Sequence, residues 1–216
     1  KRIGHNDLEY LEKTLKETKD QYQTRLVIID GVYSQDGDLS LLPEIISLCK
    51  THEAMLMLDD AHGIGVMGAN GRGTAEHFNC LGQVDIITGT FSKSFGCVGG
   101  FAAASKKIIQ YLKFYADSNV FSAAPTPQVT ASILKALEII KKEPAIRARL
   151  WENTDYLRSR LTTEGFDIGK SVSPIFPIMI RDNKKVYEIA KMLQVKGIFT
   201  IGIVYPAVRT KEARLR

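Results

Sequence analysis

The feature that most narrows the fold is a local pattern that recurs along the chain. Apolar runs that do not alternate with polar residues recur, and the first three end in an acid or a hydroxyl residue. RLVIID (25–30), AMLMLD (54–59), VDIITGT (84–90) and VGGFAAA (98–104) are the four runs. Strands with one wet face alternate, whereas continuous runs of this length predict strands covered on both faces, as in a parallel sheet flanked by helices. Asn6 or Asp7 can cap a helix whose Leu8, Leu11 and Leu15 share one side. Ser40 precedes a helix with Pro43 in its first turn and Leu42, Ile45, Ile46 and Cys49 on its apolar side. Residues 105–117, 127–142 and 145–165 also have helical spacing. Beyond Gly165 the pattern becomes strand (SPIFPIMI), helix (184–196) and strand (FTIGIVYP), the start of a second, smaller α/β domain. The class is α/β, with a mostly parallel sheet covered by helices. In such sheets ligands bind beyond the carboxyl ends of the strands, here Asp30 to Ser34, Asp59 to His62 and Thr90 to Lys93.

Bulk composition removes several function classes. A chain of 216 residues, 44% hydrophobic and 25% charged, can bury a sizeable core. No apolar run approaches the roughly 18 residues of a membrane span, and no signal-peptide pattern is visible. Cys49, Cys80 and Cys97 are odd in number, widely spaced and lack a C-x-x-C pair. That fits a reducing compartment and a cytoplasmic location. The net charge of +5 comes from scattered basic residues, so no nucleic-acid footprint is expected, although anionic substrates suit it.

The stretch LMLDDAHGIGVMGANGRG (56–73) carries the first chemical signal and admits several readings. GIGVMG satisfies the dinucleotide fingerprint, but that fingerprint must open a helix. Here Asn70, Gly71 and Gly73 follow, which are expected not to open one. A nucleotide-driven helicase would need a G-x-x-x-x-G-K-[ST] loop, which does not occur. Asp59, Asp60 and His62 could hold a metal, yet adjacent strand residues point to opposite faces and no further ligand cluster is near in sequence. Alternatively, Asp59 and His62 merely tie down a loop by hydrogen bonds. GTFSKSFG (89–96) adds a lysine amid small hydroxyl residues just after a strand. Taken singly, Lys93 reads as a solvated surface charge. Together, however, a strand-end Asp, a His three residues on and a later Ser-x-Lys are the parts that pyridoxal phosphate needs. A carboxylate keeps the ring nitrogen protonated, an imidazole contacts the ring, hydroxyls hold the phosphate and a lysine holds the aldehyde covalently.

DGVYSQDGDLSLLPEI (30–45), LDDAHGIGVMGANGRG (58–73), DIITGTFSKSFGCVGGF (85–101), NVFSAAPTP (119–127) and EARLR (212–216) together resemble the α-oxoamine synthases. These are fold type I pyridoxal-phosphate enzymes that condense an amino acid with an acyl-CoA. TFSKSFG and LKALEII…EPAIRARLWENTDYLRSRL are most similar to the soluble bacterial serine palmitoyltransferase branch. The resemblance implies that Lys93 carries the cofactor and acts as base, and that Asp59 pairs with the pyridinium nitrogen. It implies that His62 lies beside the ring near its phenolic oxygen, which Ser34 also approaches. Thr90 and Ser92 would bind the phosphate, joined by Ser122 from the partner subunit of a homodimer whose active site lies at the subunit interface. Arg216 would pair with the substrate carboxylate, and Asp60, Gly63, Gly65 and Gly68 would shape the loop. Cys97 and Trp151 read as packing residues.

Serine and palmitoyl-CoA are the implied substrates, giving 3-oxosphinganine. Glycine C-acetyltransferase, 8-amino-7-oxononanoate synthase and a non-catalytic subunit are the alternatives. No nucleic acid or transmembrane segment is expected, and peripheral contact with a membrane is compatible with the resemblance. Residues 1–117 would belong to the large cofactor-binding domain, 118–165 to connecting helices on the dimer side, and 166–216 to the small domain. Family members also carry an earlier ring-stacking histidine and a glycine-rich phosphate loop, so the chain reads as an internal fragment. In a family sheet ordered 3-2-4-5-6-7-1, residues 25–104 would supply strands 4 to 7.

Overall fold

The computed structural model describes all residues, Lys1–Arg216. The chain divides into two compact units. One is Lys1–Val32 with Ser40–Arg147, and the other is Tyr33–Leu39 with Ala148–Arg216.

In the first unit, α1 (Leu8–Glu17) starts at Asp7, whose side chain accepts from the Tyr10 amide. β1 (Leu26–Asp30) follows, then α2 (Leu42–Thr51), which has Pro43 in its first turn and no side-chain cap. β2 (Met55–Asp59), the one-turn α3 (Thr74–His77), β3 (Ile86–Thr90) and β4 (Gly100–Ala104) come next. α4 (Lys106–Tyr115), α5 (Asp117–Val120), α6 (Pro127–Lys142) and the first residues of α7 (Pro144–Thr163) complete the unit. The sheet order is β1-β2-β3-β4. β1, β2 and β3 run parallel and β4 is antiparallel to β3, so the expected contiguous block forms with one reversed edge.

Its core gathers Leu11 and Leu15 of α1, and Leu42, Ile45, Ile46 and Cys49 of α2, against Leu56 and Leu58 of β2. Leu42 and Leu58 are fully buried, and each such side chain contributes about 1.5–3 kcal/mol. This cluster covers one face of the sheet only. Burial along β1 alternates although its sequence does not, leaving Leu26 45% and Ile28 61% exposed. The expectation of strands buried on both faces is corrected at the edge strands β1 and β4, whereas Ile86 of β3, on the face of Met57 and Asp59, is buried. An apolar sequence permits coverage of both faces but cannot supply it, and the packed cluster of this unit lies on one.

In the second unit, α8 (Asn183–Val195) is capped by Asp182, which accepts from the Lys185 amide. Three two-residue strands, β5 (Ile178–Met179), β6 (Gly202–Ile203) and β7 (Arg214–Leu215), form an antiparallel sheet ordered β5-β7-β6. Val186, Ala213 and Leu215 make its core with Ile178, Ile189 and Leu193. SPIFPIMI and FTIGIVYP were expected as longer strands. Pro174 and Pro177 remove ladder donors from the first, and the second pairs from Ile201, which exchanges backbone hydrogen bonds with Arg216, through Gly202 and Ile203 and stops before Pro206. The central strand comes from EARLR, too short to show a period. The Tyr33–Leu39 segment closes as a turn, with the Gly37 amide donating to Tyr33 O at 2.8 Å and Gly37 at a φ of 71°. No helix is long and apolar enough to cross a membrane.

Candidate active site

Strand register sets the floor of the site. Asp30, Asp59 and Thr88 are Cα partners across β1, β2 and β3, so their side chains lie in one row on one face at the carboxyl ends. The Gly31 amide donates to Asp59 O and the Asp60 amide to Thr88 O, both at 2.8 Å, which carries the ladder past the last strand residues. Asp59 Oδ1 accepts from the Ala61 amide at 3.0 Å, fixing the plane of its carboxyl group. Thr88 Oγ1 beside it is buried and has no hydrogen-bond partner. A buried hydroxyl left unmatched costs about 1–3 kcal/mol, so this one marks a place where a ligand group would be satisfied.

Asp60 points the other way, as the pleat requires. It is 1% exposed, and its two oxygens accept from the Thr74 amide (2.7 Å) and the Thr74 hydroxyl (2.6 Å). Burial pushes its carboxyl above the usual range, while the Thr74 bonds pull it back. The glycines after it exist to make room. A Cβ on Gly63 would sit 1.9 Å from Asp60 Oδ1, and one on Gly73 1.9 Å from Asp60 Oδ2. Contrary to expectation, the glycine loop does open a helix, the single turn α3. Its leading amide, that of Thr74, is already given to Asp60. Asp60 thus does not converge with Asp59 and His62 on a metal.

His62 lies half-buried on this loop, and the loop is tied to the lysine turn by Ser94 Oγ, which donates to Ile64 O at 2.8 Å. A Cβ on Gly65 would come within 2.6 Å of the Ser94 side chain. Lys93 stands exposed on the turn after β3, closed by the Gly96 amide donating to Lys93 O (3.0 Å), with Gly96 at a φ of 62°. Phe91 contacts Phe95 and Phe101 at ring separations of 5.2 and 5.5 Å, which anchors the turn from below. Thr90 Oγ1 donates to Gly99 O (3.2 Å) and accepts from the Ser92 amide (3.1 Å), with Ser92 Oγ at 2.7 Å. Two hydroxyls and an amide are thereby gathered beside Lys93, the donor types that bind a phosphate.

In the second unit, Arg216 Nη1 donates to Ser34 O at 3.1 Å, so these two are neighbours. Arg214, two residues earlier, is 3% exposed and holds the same turn through Asp36 Oδ1 (2.5 Å) and Gln35 O (3.0 Å). Ser122 follows α5, its hydroxyl donating to Ser118 O at 2.5 Å. Cys97 is half-buried, its thiol directed at Phe95 O. Thr88 and Arg214 were not anticipated, and Asp30 was anticipated only as the end of a strand, with no role. The signal for Asp30 was available, because RLVIID and AMLMLD end alike.

The first unit therefore offers a carboxylate, an unmatched hydroxyl, a lysine and a hydroxyl pair at adjoining strand ends. That donor set fits pyridoxal phosphate: an acceptor for the ring nitrogen, an amine for the aldehyde, and hydroxyl and amide donors for the phosphate.

Comparison with known proteins agrees with this chemistry. The family model for aminotransferase class I and II matches residues 2–216, and the chain belongs to that family. It is 45% identical over 215 residues to a serine palmitoyltransferase of Sphingobacterium spiritivorum, covering 100% of this chain and 54% of that protein. It is 46% identical over 213 residues to an 8-amino-7-oxononanoate synthase of Petrotoga mobilis, covering 98% and 54%. Both relatives are α-oxoamine synthases, the group that the motifs resemble. A solved structure of SPT with a PLP internal aldimine superposes with a TM-score of 0.91 at 31% identity, over 98% of this chain and 53% of that one. A Sphingomonas wittichii serine palmitoyltransferase gives 0.90 at 30%, with the same coverage. The chain thus spans about half the length of the curated relatives it matches.

Proposed function

We propose that the full-length protein is a pyridoxal-phosphate-dependent C-acyltransferase that condenses an amino acid with an acyl-CoA and releases carbon dioxide and CoA. The observation that carries this reading is the placement of Lys93 on the turn after β3, with Asp59 one strand away and Thr90 and Ser92 beside it. When bound, the cofactor supplies an electron sink for negative charge at the substrate α-carbon. Lys93 Nζ would hold the cofactor through its aldehyde, and as a free amine would take the proton from the substrate α-carbon. The Asp59 carboxylate keeps the ring nitrogen protonated, and Ala61 keeps that carboxylate aimed. His62 and Ser34 attend the phenolic oxygen. Thr90 and Ser92 bind the phosphate, with Ser122 contributed across a homodimer. Arg216 pairs with the substrate carboxylate through its planar fork, a geometry that a lysine lacks. Residues 1–117 serve as part of the cofactor-binding domain, 118–165 as the dimer-side connection and 166–216 as part of the small domain, in a cytoplasmic enzyme.

Serine with palmitoyl-CoA, giving 3-oxosphinganine for sphingolipid synthesis, is the substrate pair that the TFSKSFG turn supports. The alternative is 8-amino-7-oxononanoate synthesis, which the 46% identity to the Petrotoga mobilis enzyme favours equally on sequence grounds. Mass spectrometry of the products formed from a panel of amino acids and acyl-CoAs separates them. A product from alanine and a short diacid thioester, with none from serine and palmitoyl-CoA, would overturn the serine assignment.

A further inference from the structure

The strand-end row holds two carboxylates, and the proposed chemistry uses one. Asp30 ends β1 in register with Asp59 at the end of β2. Parallel register partners project to the same face, on strands about 4.8 Å apart. The Asp30 carboxyl group accepts no hydrogen bond from the protein, so it neither caps a turn nor ties a loop, unlike that of Asp59. Its neighbours on that face of β1, Leu26 and Ile28, are apolar.

Like charges this close are tolerated where a cation stands by, and Lys93 is the cation here. Partial desolvation pushes the Asp30 carboxyl above its usual range. The Asp59 carboxylate pushes it further, and the Lys93 ammonium opposes both. These are the charged groups that bear on it. Asp59 comes from β2 and Lys93 from the turn after β3, while β3 itself presents the uncharged Thr88. His62, on the loop after β2, is the remaining titratable group at these strand ends.

We infer that Asp30 is a positioning residue of the cofactor site, a second carboxylate in the Asp30–Asp59–Thr88 row that strengthens proton retention on Asp59's ring-nitrogen partner and on the Lys93 nitrogen. The inference rests on the pyridoxal-phosphate reading above. A negative charge beside a nitrogen favours its protonated, cationic form, so removing that charge lowers the pH at which the nitrogen gives up its proton.

The test is a spectrophotometric pH titration of the visible band of lysine-bound cofactor in the full-length protein loaded with pyridoxal phosphate. Asp30→Asn removes the charge with little change of shape. The expected result is a midpoint lowered by about half to one pH unit, in line with a charge acting through partly solvated surroundings. Asp30→Glu, which returns the charge, should titrate near the wild type; a merely structural role for Asp30 predicts no such pairing. An Asp30→Asn midpoint equal to or above the wild type, with the band intact, overturns the inference and leaves the cofactor reading standing. A wild-type protein that forms no lysine-bound band overturns the cofactor reading itself, and the inference with it.

Discussion

Thr74→Val is the perturbation that most directly probes how the His62 loop is held. Thr74 is fully buried, and its hydroxyl donates to Asp60 Oδ1 at 2.6 Å while its amide donates to Oδ2 at 2.7 Å. Valine keeps the shape and the amide bond but deletes the hydroxyl donor. A hydrogen bond to a charged acceptor is worth about 1.5–3 kcal/mol, so a loss of about 2 kcal/mol is expected at neutral pH. At a urea slope of about 3 kcal/mol/M, that moves the unfolding midpoint down by roughly 0.7 M. The dependence on pH has a definite sign. Asp60 titrates above its ordinary 3.8 because burial outweighs the Thr74 bonds. The folded state therefore binds this proton more tightly than the unfolded one. Its stabilising contribution is present below about 3.8 and is lost as pH rises through the folded value. Deleting a donor to the ionised form raises the folded value further, so the valine penalty must shrink as pH falls from 7 towards 4. Urea unfolding of the full-length wild-type, Thr74→Val and Thr74→Ser proteins at several pH values measures it. A penalty below about 0.5 kcal/mol at pH 7, or one that grows towards acid, would refute the reasoning.

Asp59→Asn should slow exchange of substrate α-deuterium far more than Asp60→Asn, because only Asp59 lies in the row with Thr88; equal losses measured by NMR would remove the basis for the face assignment. Gly73→Ala should destabilise the full-length protein by about 3 kcal/mol in the same urea assay, since its Cβ would meet Asp60 Oδ2 at 1.9 Å and its φ is 96°; Gly82→Ala, whose Cβ meets nothing and whose φ is 79°, should show only the backbone cost of about 1 kcal/mol. Arg214→Lys should lower stability by about 2 kcal/mol, less than the 3–5 of a fully buried pair because Asp36 is half exposed. It should also raise the KM for the amino acid, because the turn carrying Ser34 loses its fork of donors.

Much of the site was legible because strand-end chemistry is written locally. Asp59, His62, Thr90, Ser92 and Lys93 sit within a few residues of apolar runs whose ends the sequence marks. The pleat alone separates Asp59 from Asp60. What the sequence hid depends on register and on partners distant in the chain. Asp30 and Thr88 join the row only once β1, β2 and β3 are paired. The opening of α3 after Gly73 needed the Asp60–Thr74 bonds, formed 14 residues apart. Arg214 carried no signal of burial, since an arginine two residues from the chain's last arginine reads as solvated until the 33–39 turn closes on it. Coverage of the edge strands β1 and β4 was misread for the same reason, because apolar runs do not state which face finds a partner.

The central claim is that Lys93 holds pyridoxal phosphate, and chemical trapping tests it most directly. The full-length protein is incubated with the cofactor, reduced with borohydride, digested and mapped by mass spectrometry. The account predicts a pyridoxyl group on Lys93 and its absence after Lys93→Ala, with the fold retained by circular dichroism. A label at another lysine that survives Lys93→Ala, or no label at all in the wild-type protein, would contradict it.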